Sequence, residues 1–145
     1  MGTSLQELGR SIKRLQTRHH REMDALLGEI GTTLVQWDAL RAVGRNPDAS
    51  SHDLAELTFQ TDQAFGTLAT RLIDKGLITR AAGKGRALRH RLTPKGQEIL
   101  KKGTAVAEKM LSKSFAPLNE AERAQLLGLV LRLLPEKEPG DQTPL

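Results

Sequence analysis

Basic side chains are concentrated in one part of this 145-residue chain, residues 60–102, which hold ten Lys or Arg and three Asp or Glu. The segment therefore has a net charge of +7, and the rest of the chain carries −2 of the total of +5. Lysine and arginine bind phosphate oxygens, and a basic block of this kind is typical of proteins that contact a nucleic-acid backbone. A basic face that is only solvated is the alternative interpretation.

Polar side chains that could contact bases lie at the start of this segment, on a helix predicted over residues 61–75. Gln63 can form two hydrogen bonds with adenine, and Asp62 can accept one from cytosine. The methyl groups of Thr67 and Thr70 can contact thymine. For Asp62, stabilisation of the positive helix N-terminus is an equally good explanation. The apolar residues predicted to face inwards from this helix are Ala64, Phe65, Leu68 and Leu72.

Cationic contacts are expected mainly from Lys84, Arg86 and Arg89, in and beside the glycine-rich segment AAGKGRA. Arg71 is a further candidate for a phosphate contact, although an ion pair within the protein would explain it as well. Ser51 completes the set of residues predicted to contact nucleic acid.

The composition excludes several classes of protein. The chain has no cysteine, which excludes disulfides, thiolate metal sites and cysteine nucleophiles. Aromatic residues make up 3% of the chain, so a large aromatic-lined pocket is not expected and no cofactor is predicted. No apolar run approaches the ~18 residues of a membrane span, and the start MGTSLQELGR lacks the apolar core of a signal peptide. We therefore expect a cytoplasmic protein with no membrane partner.

Neither catalysis nor metal binding is predicted. The sequence has no glycine-rich phosphate loop after a strand, no nucleophile elbow and no paired carboxylates on a suitable scaffold, so no catalytic residue is assigned. His19 and His20 are adjacent and point about 100° apart on a helix, which makes a shared metal ion difficult. His52 and His90 lie elsewhere in the chain. His19 interrupts the apolar positions of the first helix, either as a packed polar residue or as part of an effector pocket.

Helices are predicted to supply most of the scaffold, which the length limits to one domain overall. Apolar residues at helical spacing predict a long amphipathic first helix, and LLGLVLRLL predicts a last helix that is apolar nearly all the way round. Gln36, three residues after Thr33, fits a capping box. The apolar residues of the first helix are Leu5, Leu8, Ile12 and Leu15. The N-caps predicted for the later helices are Thr33, Ser50, Thr61, Thr93 and Asn119.

Two short helices, predicted over residues 50–58 and 61–75, are separated by about three residues and form a helix-turn-helix pattern. Two strands with alternating apolar residues follow, 77–80 and 88–92, joined by the basic segment. The pattern predicts a mainly α fold with a small β-hairpin, a winged helix-turn-helix. In such a fold the second helix enters the major groove of DNA, and the hairpin reaches the adjacent backbone or minor groove.

These residues resemble the MarR family of bacterial winged helix-turn-helix transcriptional regulators. The resemblance runs from about Thr32 to Leu134 and is most specific in RLIDKGLITR, which the hairpin and LTPKG follow in the family's order and spacing. It implies a repressor that binds a pseudo-palindromic operator in double-stranded DNA as a homodimer. It also implies a small-molecule effector, often an anionic aromatic compound in relatives.

The resemblance also implies a division of the chain, with interlocking dimerisation helices at both ends. The parts are an N-terminal dimerisation helix in residues 1–30, a DNA-binding lobe in 31–92, C-terminal dimerisation helices in 93–134 and a tail in 135–145 whose composition predicts disorder. An effector pocket is expected where the dimer-forming helices meet the lobe. Core packing is the simpler explanation of Trp37. The residues placed in this pocket are His19, Met23, Trp37 and Arg41.

Two parts of the chain, the hairpin tip and the recognition helix, depart from the family pattern. In the family the hairpin, which is called the wing, often carries an Asp and two Arg before an Ala, but Lys84, Gly85 and Arg86 precede Ala87 here, so only Arg86 fits. Gly66 lies in the middle of the recognition helix, where glycine costs about 1 kcal/mol relative to alanine. Either close approach to DNA or close helix packing would explain it. A winged-helix architectural or protein-binding module without operator specificity is the alternative function.

Overall fold

The computed structural model describes residues 2–82 and 88–134, in which six helices and a two-stranded antiparallel hairpin follow the predicted order. The mainly α fold with a small β-hairpin is therefore confirmed. The predicted tail, residues 135–145, lies outside the described residues. The helices are α1 (Leu5–Glu29), α2 (Leu34–Arg45), α3 (Ser51–Leu57), α4 (Asp62–Asp74), α5 (Pro94–Ser114) and α6 (Glu120–Leu133). The strands are β1 (Ile78–Ala82) and β2 (Leu88–Leu92).

Each helix begins directly after a side chain that accepts a hydrogen bond from the backbone N–H three residues later, because the first turn leaves its N–H groups without helical partners. All five predicted N-caps are confirmed. The capping box predicted at Thr33 is only half formed. The Gln36 side-chain oxygen accepts hydrogen bonds from the Thr32 hydroxyl at 3.2 Å and the Lys75 ammonium at 3.0 Å instead of closing the box.

The main core lies between α2, α3, α4 and the hairpin, and its buried residues all come from the predicted lobe of residues 31–92, with Ile99 and Leu100 of α5 packed against them. On α4 the buried positions follow the spacing i, i+3, i+4, i+7 from Phe65, so Ala69 is buried and Ala64 is exposed. The prediction that Ala64 faces inwards is therefore wrong. The largest fully buried side chains of this core are Phe65, Leu40, Leu54, Leu72, Ile78 and Val43.

The hairpin packs directly on α4. Its strands pair Ile78 with Leu92 and Arg80 with His90, and β1 runs two residues further than predicted. His90 is only 2% exposed, and its ring lies edge-on to Phe65 of α4 with the ring centroids 5.9 Å apart. This contact fixes the hairpin relative to the helix that is predicted to read bases.

Gly96, in the first turn of α5, packs against the backbone that precedes β1. A Cβ atom at this position would lie 2.0 Å from the carbonyl oxygen of Leu77, which is far inside the contact distance. The same oxygen accepts a hydrogen bond from the Thr93 N–H at 3.0 Å. Only glycine fits here, and the contact ties the start of α5 to the lobe.

A second, smaller core joins α1 and α5 to the lobe. Trp37 of α2 is buried at its centre, and its indole N–H donates to the carbonyl of Leu100 on α5 at 3.3 Å. The buried side chains of this core are Met23, Leu27, Trp37 and Met110.

The N-terminal half of α1 and all of α6 leave their apolar side chains exposed. No residue of α6 is buried, and Leu133 is 72% exposed. In α1, Leu5, Leu8, Ile12 and Leu15 are all exposed. Apolar surfaces of this extent usually mark an interaction site. No helix in the described part of the chain combines the length and the apolar character of a membrane span.

Candidate nucleic-acid interface

The turn between α3 and α4 sets the direction of the candidate reading helix. Thr58 ends α3, and its hydroxyl donates to the carbonyl of Leu54 at 2.7 Å. Phe59 follows with φ of 56° and a side chain that is 81% exposed. A left-handed backbone is rare for a bulky residue, and the sequence pattern did not indicate it. The turn is therefore held in a conformation that its own residue disfavours.

The exposed side of α4 carries the polar residues that were predicted to contact bases. Asp62, Gln63, Thr67, Thr70 and Arg71 are all exposed on the helix. A cavity of about 460 Å³ lies against this side, with Gln63, Thr67 and Arg71 among its lining residues. The structure therefore brings these predicted residues onto one accessible surface.

The hydroxyl groups of the two threonines of α4 both donate hydrogen bonds within the helix. The Thr67 hydroxyl donates to the carbonyl of Gln63 at 3.2 Å, and the Thr70 hydroxyl donates to that of Gly66 at 3.0 Å. Such bonds to the preceding helical turn are usual for threonine. Each side chain can then offer a methyl group and an acceptor oxygen to a base, which suits the predicted contact with thymine.

Gly66 lies on α4 with no atom outside its own helix near the place where a Cβ would be. Apart from the neighbouring residues and the backbone of α4 itself, no heavy atom of the described residues lies within 4 Å of that position. Close helix packing therefore does not explain this glycine, and close approach of DNA is the remaining explanation of the two.

The basic residues are divided between the helix and the hairpin. Arg71 forms no ion pair within residues 2–82 and 88–134, so the alternative of an ion pair within the protein gains no support. Arg89 is partly buried on β2, and Ser51 is partly buried in the first turn of α3. Lys84 and Arg86 lie outside the described residues.

Comparisons with known proteins agree with this geometry. The model of the MarR family matches residues 30–87. The HTH-type transcriptional repressor Rv2887 of Mycobacterium tuberculosis is 29% identical over 128 residues, which cover 87% of this chain and 92% of Rv2887. A probable transcriptional regulator from Pseudomonas aeruginosa has a similar structure, with 30% identity, a TM-score of 0.75 and coverage of 87% of this chain and 96% of that one. The chain belongs to the MarR family.

Rv2887 has been solved with p-aminosalicylic acid, with salicylic acid and with DNA. Its structure with p-aminosalicylic acid has a TM-score of 0.72 at 28% identity and covers 87% of this chain and 97% of Rv2887. Its structure with DNA has a TM-score of 0.75 at 24% identity and covers 92% and 100%. The MarR family is a family of transcriptional regulators, which is not a class of enzymes.

Within this MarR-family lobe, His52 links α3 to α4. Its Nδ1 lies 2.8 Å from Asp62 Oδ1, and its Nε2 lies 3.1 Å from Glu56 Oε1. The hydrogen bond and charge of Asp62, followed by the charge of Glu56, raise the pKa of His52 above 6.5. The spacing of 52 and 56 on one helix indicates half of this network, but its link to Asp62 depends on the tertiary structure.

The buried His90 has the opposite electrostatic environment. Burial, and then the positive charge of Arg80 beside it, lower the pKa of His90 below 6.5. Among the described residues, neither ring nitrogen of His90 has a hydrogen-bond partner. The neutral imidazole therefore acts as a flat packing group under the hairpin.

The four residues predicted for an effector pocket lie along α1 and α2 of this MarR-family chain. Met23 and Trp37 are buried together in the second core. The Arg41 guanidinium lies 5.2 Å from the centre of the Trp37 ring and pairs with Asp38. His19, one turn before Met23 on α1, is partly buried and forms a 2.6 Å hydrogen bond with the hydroxyl of the last residue of α5.

Proposed function

We propose that this protein is a transcriptional repressor that binds operator DNA as a homodimer, with α4 in the major groove and the hairpin against the adjacent backbone. The observation that carries the proposal is the exposed polar side of α4, held next to a basic hairpin in a MarR-family chain. Rv2887 is named a transcriptional repressor and has been solved in complex with DNA. A cytoplasmic location is part of this proposal, because operator DNA lies there.

The proposed dimer is formed by α1, α5 and α6. The exposed apolar side chains of α6 and of the N-terminal half of α1 support it, because a second copy would cover both surfaces. Two lobes related by a two-fold axis would then meet two half-sites about one helical turn apart or a multiple of it.

The proposed contacts with DNA are of two kinds. Asp62, Gln63, Thr67 and Thr70 would contact base edges from α4. Arg71, Arg89, Ser51, Lys84 and Arg86 would contact the backbone, with Arg86 reaching towards the minor groove. Phosphate contacts position a protein on DNA, whereas contacts to base edges carry the sequence information. Replacing a residue of one kind should therefore change DNA binding differently from replacing a residue of the other kind.

Arg86→Ala is expected to weaken binding to every sequence and to make the salt dependence shallower, by about one unit of slope for each phosphate that is no longer neutralised. Gln63→Ala is expected to cost about 1 to 3 kcal/mol, concentrated at one position in each half-site, with the salt slope nearly unchanged. Thr67→Ala should act like Gln63→Ala at another position. Binding isotherms across a salt series, on the operator and on its single-base variants, measure both effects.

Lys109→Ala is the matched control for charge, because it removes one exposed cation from α5 away from the hairpin. It should leave both the salt slope and the discrimination between sequences unchanged.

Footprinting tests the function itself: a discrete protected palindrome supports the repressor. Uniform coating of the DNA would instead favour an architectural protein, and no protection would favour a protein-binding module.

We also propose that the effector is an aromatic carboxylate, which binds near His19, Met23, Trp37 and Arg41. Rv2887 has been solved with p-aminosalicylic acid, and Arg41 supplies a cation beside an aromatic ring in this chain. The chain has no cysteine, so reversible thiol oxidation is not available as the signal.

Salicylate is expected to release the protein from its operator and to change the fluorescence of Trp37, the only tryptophan. Arg41→Gln should weaken salicylate binding about tenfold or more, since a charge-assisted hydrogen bond is removed. Arg45→Gln, one turn along α2, is the control and should bind salicylate normally. Reversible release of DNA by mild peroxide, without any response to a wide set of aromatic acids, would contradict this proposal.

A further inference from the structure

The protonation state of His52 follows from its neighbours. Each of its ring nitrogens faces a carboxylate oxygen, Asp62 Oδ1 at 2.8 Å and Glu56 Oε1 at 3.1 Å. An ionised carboxylate only accepts hydrogen bonds, so both nitrogens must donate for both contacts to be favourable. The geometry is therefore that of an imidazolium cation between two carboxylates.

Among the described residues, the charged groups that act on His52 are all acidic. Asp53 and Glu56 lie on its own helix, α3, and Asp62 lies in the first turn of α4. With His52 protonated this cluster carries a net charge of −2, and with His52 neutral it carries −3. The cluster stands at the N-terminal end of α4, the end of a recognition helix that contacts base edges between two phosphate backbones.

The contribution of this network to folding is small. The side chains of His52 and Asp62 are 64% and 70% exposed, and ion pairs exposed to this degree contribute little to stability. The effect of the network on DNA binding is expected to be larger, because an uncompensated carboxylate near phosphates repels them. The network should therefore affect binding more than folding.

We propose that His52 is a positioning residue for DNA recognition: its imidazolium holds the Asp62 carboxylate on the α3 side of the interface and offsets its repulsion of phosphate. This inference rests on the proposed DNA-binding function. One oxygen of Asp62, Oδ1, is occupied by His52, which leaves Oδ2 to accept a hydrogen bond from a base. Binding is then strong while His52 is protonated and weaker once it is neutral.

The direction of the pH dependence follows from the same contacts. The hydrogen bond and charge of Asp62 raise the pKa of His52 above 6.5 in the free protein. Nearby phosphates raise it further in the complex, so binding takes up protons. The affinity is therefore greatest where the pH is below the raised pKa of His52 in the free protein, and it falls as the pH rises through that pKa and the still higher pKa of the complex.

The test is operator affinity between pH 5.5 and 8.5 at constant ionic strength. Wild-type affinity is expected to fall about two- to fivefold across this range, the size of one exposed charge interaction. The operator affinity of His52→Gln should not depend on pH and should equal the weak affinity of the wild type at high pH. Asp62→Asn should also remove the pH dependence, and the double variant should show no further loss relative to Asp62→Asn. His20→Gln, which removes an exposed histidine from α1, is the control and should keep the wild-type profile.

Two further measurements separate this role from a structural one. Urea unfolding of His52→Gln should match the wild type, and NMR titration should show the pKa of His52 falling in Asp62→Asn. Equal pH profiles for the wild type and His52→Gln, with normal operator binding, would overturn the positioning role alone. Absence of specific binding at every pH would instead overturn the proposed function.

Discussion

Leu133→Glu is expected to give aggregated or unfolded chains in place of a stable homodimer. Leu133 is 72% exposed in the single chain and no residue of α6 is buried, so the apolar side chains of this helix depend on a partner. Burying a leucine contributes about 1.5 to 3 kcal/mol, and a buried unpaired carboxylate adds several kcal/mol of penalty. A two-fold dimer suffers both losses twice. Leu129→Glu should behave in the same way.

Sedimentation velocity at micromolar concentration measures this effect directly. The matched control is Ala124→Glu, which adds the same negative charge at an exposed position on the side of the same helix opposite Leu133. It should remain a folded dimer. A well-folded wild-type monomer at these concentrations would show that α6 is not a dimer surface.

Gly96→Ala is expected to destabilise the protein by about 3 kcal/mol, the upper end of the usual cost of overpacking. The new methyl group would lie 2.0 Å from the Leu77 carbonyl oxygen, which is a backbone atom, and the position of the methyl group is itself fixed by the backbone of α5. Neither can move by a change of rotamer. The helix start would have to shift away from the lobe and weaken the Thr93 hydrogen bond to the same oxygen. Urea unfolding at one fixed protein concentration measures the loss.

Gly66→Ala is the control, because in the described part of the chain no atom beyond the backbone of α4 and the neighbouring residues lies within 4 Å of its Cβ position. Alanine in a helix interior should stabilise the free protein by up to about 1 kcal/mol. The same variant should bind the operator less tightly, since the added methyl group would stand between α4 and DNA. A Gly96→Ala protein as stable as Gly66→Ala would refute the assigned backbone contact.

Features set by neighbours along the chain could be predicted from the sequence. The five N-caps depend only on a side chain and an N–H three residues later, and all five occur where the sequence placed them. The exposed polar residues of α4 follow from the periodicity of one helix in the same way. The exposure of Ala64 could not be predicted, because an alanine next to Phe65 does not show which edge of the apolar stripe of α4 is covered.

Features that join distant segments could not be predicted. The link between His52 and Asp62 needs the angle between α3 and α4, which the left-handed turn at Phe59 sets. The contact at Gly96 needs the start of α5 to meet the chain before β1. Tertiary packing decides both, and periodicity carries no information about it.

His90 is buried and has an arginine on either side of it in β2, and this pattern fixes the register of the two strands of the hairpin. A slip of one residue in the strand pairing would turn Arg89 or Arg91 towards Phe65 and bury a charge, at a cost of several kcal/mol. The strands therefore have one permitted register. In the proposed complex, His90 therefore sets the distance along DNA between the bases contacted by α4 and the backbone contacted by the hairpin. His90 itself contacts neither the bases nor the backbone.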